Sequence, residues 1–314
     1  MRDLILVVGS GTMGSGIGAM SALAGNRTIL IDTDTTRTHA GLARAEACIR
    51  LREQHGLVSS QQAQRAVQLL AAEDDITPFL DRARLVIEAV SEDLALKRSL
   101  FAHLDVALPT CVPICSNTSG LRITDICAGC TCPARTLTTH FWLPAHLVPL
   151  VEVVMGEQTD EAVARLVRDE LVAWGKKPVL VRRDQSGQLA NRIFQAIIRE
   201  ATDIVGSGLA SAEDVDTAIG YGMAMRLPVW GPLKHLDAIG LDLGLRVQDA
   251  VLPDICASQT ASPSLRERVE EGRLGVQTGT GFYDWSQRDI ERDIRMRDAF
   301  IIEAVKAMER IQNQ

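Results

Sequence analysis

The run Leu4-Ile5-Leu6-Val7-Val8-Gly9-Ser10-Gly11-Thr12-Met13-Gly14 decides how this chain folds. Five apolar residues in a row make a buried strand, and the pattern over Thr12–Leu23, ended by Gly25, predicts a helix. Between them stands the spacing G-x-G-x-x-G. Gly9 permits the tight turn, Gly11 lets a pyrophosphate come close to the backbone, and Gly14 lets the helix pack against the strand. Ser10, Thr12 and Met13 fill the intervening positions and join the glycines as expected cofactor contacts.

Outward from this loop, Arg27–Ile31 reads as a second strand closing at Asp32-Thr33-Asp34. Asp-Thr-Asp is good turn chemistry in its own right. With the whole strand-loop-helix-strand unit present, Asp32 reads better as the acid that accepts ribose hydroxyls and repels a 2′-phosphate, which favours NAD over NADP. A helical stretch follows over Arg37–Leu70, broken around His55–Ser60. The span between the second and third strands exceeds an ordinary crossover, so a helical hairpin at about residues 40–75 is expected to project there. Strands are expected at Leu85–Ala89 and Val112–Ser116 with a helix at Asp93–Leu104 between them. Further strands at Thr136–Phe141, Leu150–Val154 and Pro178–Val181 complete a first domain.

Strand patterns vanish from Gln185 onward. Ala190–Gly206, Ala212–Gly220, Leu236–Val251 and Asp289–Arg310 carry apolar residues at helical spacing. The expected architecture is an α/β Rossmann-type dinucleotide-binding domain, residues 1–184, followed by an all-α C-terminal domain, residues 185–314. The second domain is expected to hold substrate and to dimerise.

Composition narrows the function classes. The chain has 314 residues, 46% hydrophobic and 23% charged, with a net charge of −7. Those values suit a globular protein, and the acidic balance argues against general nucleic-acid binding. Small phosphorylated ligands stay open, because local backbone N–H groups hold them. The apolar runs are too short to cross a bilayer, and strand-like sequence from Leu4 leaves no room for a targeting peptide, so a cytoplasmic location away from membranes is expected. Of seven cysteines, Cys111, Cys115, Cys127, Cys130 and Cys132 cluster. Cys127-x-x-Cys130 has half of a zinc spacing, but no second CxxC or nearby histidine pair completes it. Reduced thiols, and no bound metal, are expected.

The segment from Thr139 to Val153 carries the chemistry. Two strands joined by a loop centred on His146 would set His140 opposite Glu152, the only acid in the apolar run Leu147–Met155. Alone, His140 reads as a core histidine and Glu152 as a strand carboxylate facing water. Their mirrored placement favours a pair, since a carboxylate among valines is costly unless compensated. An imidazole beside it would have its tautomer fixed and its protonated form stabilised, as a general base requires. His146 has no comparable partner and lines the loop.

These residues resemble the 3-hydroxyacyl-CoA dehydrogenases and their relatives, the gulonate and carnitine dehydrogenases and lambda-crystallin. The likeness runs nearly end to end through Gly9–Gly14, Glu88–Lys97, Ser116-Asn117-Thr118-Ser119, the His140 hairpin, Asn191-Arg192, Gly231-Pro232 and Gly275–Tyr283. It implies an NAD-dependent L-3-hydroxyacyl-CoA dehydrogenase with His140 as base and Glu152 as its orienting partner. It also implies that Ser119 bonds the substrate oxygen near the nicotinamide, that Asn191 is a substrate-contacting amide, and that Glu92 and Lys97 contact the cofactor toward its nicotinamide end. A homodimer is implied as well. The same chemistry on a free hydroxy acid, carnitine or a ring-borne hydroxymethyl group is the alternative, and a crystallin-like structural protein that binds NAD is a third. Two departures bear on this. Leu143 stands where the family usually has a cofactor-contacting asparagine, and the hairpin has Arg44, Arg50, Arg52 and Arg65 but no lysine to hold CoA phosphates.

Overall fold

Strand β1 (Leu4–Val8) is buried at every residue and sorts its side chains by parity. Ile5 and Val7 join one core cluster, with Ile17, Leu30 and Trp174; Leu4, Leu6 and Val8 join another, with Phe101, Leu104 and Ile114. A strand apolar on both sides needs a layer on each face, and alternating strands and helices supply it. The structure, a computed structural model, describes residues 2–312.

Eight strands form one sheet: β1, β2 (Arg27–Ile31), β3 (Leu70–Glu73), β4 (Ala83–Glu88), β5 (Ile114–Ser116), β6 (Thr136–Phe141), β7 (Leu150–Met155) and β8 (Lys177–Val181). Their spatial order is β3-β2-β1-β4-β5-β6-β7-β8. All neighbours are parallel except β6 and β7, which are antiparallel. Order reverses between β1 and β4, so the carboxyl ends of those strands form the switch point at which open α/β sheets bind ligands. The helices of this unit are α1 (Thr12–Leu23), α2 (Thr35–Gln54), α3 (Ser60–Leu69), α4 (Leu94–Ala107), α5 (Ile123–Ile126) and α6 (Glu161–Ala173).

Two expectations are corrected here. The hairpin α2–α3 does not project; it lies against the first unit, with Gly41, Ala45 and Ile49 of α2 and Ala63 and Ala66 of α3 buried. Small residues one helical turn apart let these helices pack closely. The helical pattern also ran to Leu70, whereas Leu70–Glu73 is a strand paired with β2. Leu-Ala-Ala-Glu has no alternation of its own, and pairing with an edge supplies what its propensity lacks.

The chain divides into two compact units, one ending at Arg192 and one starting at Ile193. Helix α7 (Ala190–Gly206) spans that division, and α8 (Ala212–Thr217), α9 (Pro232–Ile239), α10 (Leu241–Val251), α11 (Pro263–Glu270) and α12 (Ile290–Gln312) follow. The single helix expected over Leu236–Val251 is two, because Gly240 at φ +96° interrupts it. Helix α11 was not anticipated from the sequence. Within the second unit Glu200 accepts the Cys256 N–H at 2.9 Å, and Tyr283 donates its hydroxyl to Asp216 at 2.6 Å. Among the described residues no helix is long and apolar enough to cross a membrane.

Candidate active site

At the carboxyl end of β1, Gly9 has φ +97°, and a Cβ there would lie 2.6 Å from the carbonyl carbon of Ala89 beyond β4. Only glycine fits such a turn. A Cβ on Gly14 would lie 1.8 Å from the Gly9 carbonyl oxygen, whereas one on Gly11 would meet nothing within 4 Å. The loop is therefore crowded on its sheet side and open at Gly11. Helix α1 starts at Thr12 with no side chain capping it, which leaves its first N–H groups pointing out of the loop. This is the arrangement a pyrophosphate requires.

Asp32 ends β2 beside this loop. Its Oδ2 accepts the Ser10 N–H at 2.8 Å and lies 2.9 Å from Ser10 Oγ, while Oδ1 accepts the Thr33 N–H at 2.8 Å. Burial, which raises the carboxyl, is overridden by these bonds, so it is held below the usual range and stays ionised. Arg44 of α2 donates to the Ser10 carbonyl at 2.8 Å. The loop, the acid and the first helix of the hairpin are thus one hydrogen-bonded unit, and the residues present fit a bound NAD: backbone N–H groups for its phosphates and Asp32 for its ribose.

A second cluster lies at the carboxyl ends of β4 and β5. Glu88 is fully buried and accepts Lys97 Nζ at 2.6 Å, Ser116 Oγ at 2.6 Å and the Val90 N–H at 2.7 Å. Lys97 is itself 1% exposed and also lies 3.4 Å from Glu92. Its ammonium therefore meets the buried Glu88 carboxylate and, farther off, the partly exposed Glu92. Glu92 Oε1 accepts Thr118 Oγ1 at 2.6 Å and the N–H groups of Ser119 and Gly120 at 3.0 Å each. Burial opposes ionisation of Glu92, but these bonds and Lys97 keep it below the usual carboxylate range. Ser119 is exposed on the loop that Glu92 holds. Asn117, in the same loop, accepts the Phe141 N–H at 2.9 Å and so ties that loop to the end of β6.

The register of β6 on β7 pairs His140 with Glu152 directly. His140 Nδ1 lies 2.7 Å from Glu152 Oε2, with Glu152 fully buried and His140 7% exposed. With Nδ1–H on the carboxylate, Nε2 carries the lone pair and is the nitrogen that can take a proton. Glu152 has three further donors: Trp142 Nε1 at 3.0 Å on Oε2, and the N–H groups of Leu189 and Ala190 at 2.7 and 2.8 Å on Oε1. Burial pushes this carboxyl up, but the four donors override it and hold it at about 2. Ala190 begins α7 and Asn191 is the next residue, so the fold brings the expected amide to the helix end that Glu152 binds.

The loop between β6 and β7 is tied down from two sides. Lys176 donates from Nζ to the carbonyls of Ala145 and Val148, and Arg52 of α2 donates to the His146 carbonyl at 2.6 Å. Burial, with Arg52 nearby, pushes the Lys176 ammonium down to about 7. Leu143, in this loop, is 55% exposed. Among the described residues no three histidine, cysteine, aspartate or glutamate side chains gather as a metal ion would need, and Cys127 packs into the apolar cluster around Ile123 and Ile126.

Reading the sequence missed Glu88, Asn117, Thr118 and Trp142 as members of the site. The first three lie inside strings already matched to the family, so position beside Glu92 and Ser119 was the available signal. Nothing in the sequence distinguished the Trp142 N–H from an apolar hairpin residue.

The chain is similar to known proteins over most of its length. Residues 4–185 match the family model of the 3-hydroxyacyl-CoA dehydrogenase NAD binding domain, and residues 187–285 match that of the C-terminal domain. A 3-hydroxybutyryl-CoA dehydrogenase of Mycobacterium tuberculosis is 36% identical over 89% of this chain and 97% of its own. A 5-formyl-3-hydroxy-2-methylpyridine 4-carboxylate 5-dehydrogenase of Mesorhizobium japonicum is 30% identical over 89% of each chain. A solved structure of a dehydrogenase of that pyridine acid superposes with a TM-score of 0.90 at 27% identity, covering 98% of this chain and 99% of the other. The (S)-3-hydroxybutyryl-CoA dehydrogenase of Ralstonia eutropha superposes at 0.76 with 30% identity, covering 91% of this chain and 100% of the other. The chain is an NAD-dependent oxidoreductase acting on CH–OH groups and belongs to the 3-hydroxyacyl-CoA dehydrogenase family.

Proposed function

We propose that this chain oxidises a 3-hydroxy group to a ketone with His140 and Glu152 as its proton relay. The observation that carries the reading is the buried 2.7 Å contact of His140 Nδ1 with Glu152. Nε2 of His140 takes the hydroxyl proton as the carbon loses its hydride. Glu152, held ionised by its donors, stabilises the resulting imidazolium. Ser119 and Asn191 orient the substrate oxygen, and Glu92, braced by Lys97, keeps the Ser119 loop in place on the cofactor side. Bound NAD supplies the hydride acceptor. Residues 1–184 serve as the NAD domain and 185–314 as the substrate and dimerisation domain.

Relatives named as 3-hydroxybutyryl-CoA dehydrogenases support an L-3-hydroxyacyl-CoA substrate. A second reading is favoured by the hairpin arginines. Arg44 binds the Ser10 carbonyl, Arg52 binds the His146 carbonyl, and Arg50 lies 3.3 Å from Glu46. With Arg44 and Arg52 bound to backbone carbonyls, Arg50 paired at the surface with Glu46, and Leu143 in place of the family's usual asparagine, the substrate on this reading is a free small hydroxy acid or a ring-borne alcohol. The pyridine carboxylate named for the Mesorhizobium relative is likewise a small acid without CoA, one that carries a ring formyl group. Following NADH oxidation with acetoacetyl-CoA and free acetoacetate in parallel separates the two. Turnover of the thioester alone would establish CoA dependence. Inertness toward the thioester beside reaction of an uncoupled acid or ring carbonyl would establish the second.

The crystallin-like reading predicts NADH binding without turnover. Against it, His140→Gln should lower kcat by about a hundredfold or more while leaving NADH affinity unchanged; an active variant would remove His140 as the base. A homodimer is supported by the second unit, where Leu209, Tyr221, Leu233, Leu241, Leu245 and Phe300 are all exposed. Sedimentation at micromolar concentration tests it, and a monomer would overturn it. Seven unpaired thiols support a reducing, cytoplasmic location.

A further inference from the structure

Trp142 stands one residue beyond β6, and its indole donates to Glu152 Oε2 at 3.0 Å, the same oxygen that meets His140 Nδ1. Its ring centre lies 5.9 Å from that of His140, with the planes tilted by 54°. The placement follows from strand alternation: residues two apart leave the same side of an extended chain, so His140 and Trp142 both face Glu152 on the neighbouring strand. A carboxylate offers about four lone-pair sites. Here each oxygen receives two donors, and Trp142 is the only side chain besides the base itself among the four.

We propose that Trp142 is a positioning residue of the relay: its N–H fixes the plane of the Glu152 carboxylate against His140 and draws charge density from the oxygen on which the imidazole leans. The catalytic meaning of this rests on the dehydrogenase reading; the coupling itself does not. Without the indole N–H, Oε2 would keep only the imidazole as donor and lean more of its charge on it. The indole tempers that field. The other groups facing Glu152 are the two N–H groups at the start of α7, and the Arg192 guanidinium on the same helix is directed to the Ser186 carbonyl.

Two replacements test it in the full-length chain. Trp142→Phe removes the N–H and keeps an aromatic ring. Incorporating 3-benzothienylalanine at 142 keeps the bicyclic shape with sulfur in place of N–H, which guards against a simple packing defect. With ring-labelled histidine, and the His140 resonance assigned by its absence in His140→Gln, the proton affinity of His140 should rise by about three- to tenfold in both variants. NADH affinity should stay unchanged, and the acid limb of kcat/KM should move up by the same factor. A midpoint in the benzothienyl variant that coincides with the natural chain's overturns the proposal. If the midpoints move as expected but the unaltered chain turns over no hydroxy acid, ring alcohol or thioester, the coupling stands and the proposed reaction falls.

Discussion

Glu92 accepts the backbone N–H of Ser119 at 3.0 Å, and through the same oxygen it holds Thr118 and Gly120. A residue expected from resemblance to touch the cofactor is thus also the brace of the residue expected to touch the substrate. Glu92→Ala should lower kcat/KM by about ten- to a hundredfold through misplacement of the Ser119 loop. Its side chain is 44% exposed, so the thermal midpoint should move by only a few degrees. Steady-state kinetics beside a melting curve check both halves.

Lys97 and Glu88 form an ion pair 1% and 0% exposed. Lys97→Met strands a buried carboxylate and should cost about 3–5 kcal/mol in urea unfolding. The double variant Glu88→Gln/Lys97→Met should recover much of that loss, because it removes the stranded buried carboxylate and leaves only the partly exposed Glu92 without its cation. A single variant as stable as the natural chain would contradict the pairing.

Glu152 gives a pH dependence with a definite sign. Its folded carboxyl sits at about 2 against an ordinary 4.5. A folded value below the unfolded one means that the stabilisation is complete above about pH 4.5 and is lost as pH falls toward 2. The urea midpoint of the natural chain should therefore drop more steeply over this range than that of Glu152→Gln. Parallel curves would show that the carboxylate is not held as described.

The two loop glycines should separate folding from cofactor binding. Gly9→Ala forces a side chain into a positive φ and against the Ala89 carbonyl, and should destabilise the fold by about 1–3 kcal/mol. Gly11→Ala has room, so the fold should be unaffected while the dissociation constant for NAD rises by about tenfold or more. Calorimetry and NAD titration on the pair check the contrast.

Much of this was legible from residue types and spacing. The glycine string and Asp32 announce a nucleotide loop because they come with the whole strand-loop-helix-strand unit, and His140 and Glu152 announce each other because they stand at mirrored distances from a loop centred on His146. What stayed hidden depends on neighbours distant in sequence. Leu70–Glu73 becomes a strand only beside β2. Glu88 reads as an ordinary strand end until Lys97, nine residues later, folds back onto it. The hairpin arginines read as a solvated or phosphate-binding face, yet two of them reach carbonyls 34 and 94 residues away. A one-dimensional pattern carries the period of an element, but not the partner it meets.

The indole beside Glu152 also gives the site a built-in optical signal. A charged imidazolium quenches neighbouring indole emission far more than a neutral ring does, and the two ring centres here are 5.9 Å apart. The chain has four tryptophans, so subtracting the spectrum of a Trp142→Phe variant isolates this one. Its emission followed against pH would read the charge on the His140 imidazole in the resting protein, with no substrate, cofactor or label added.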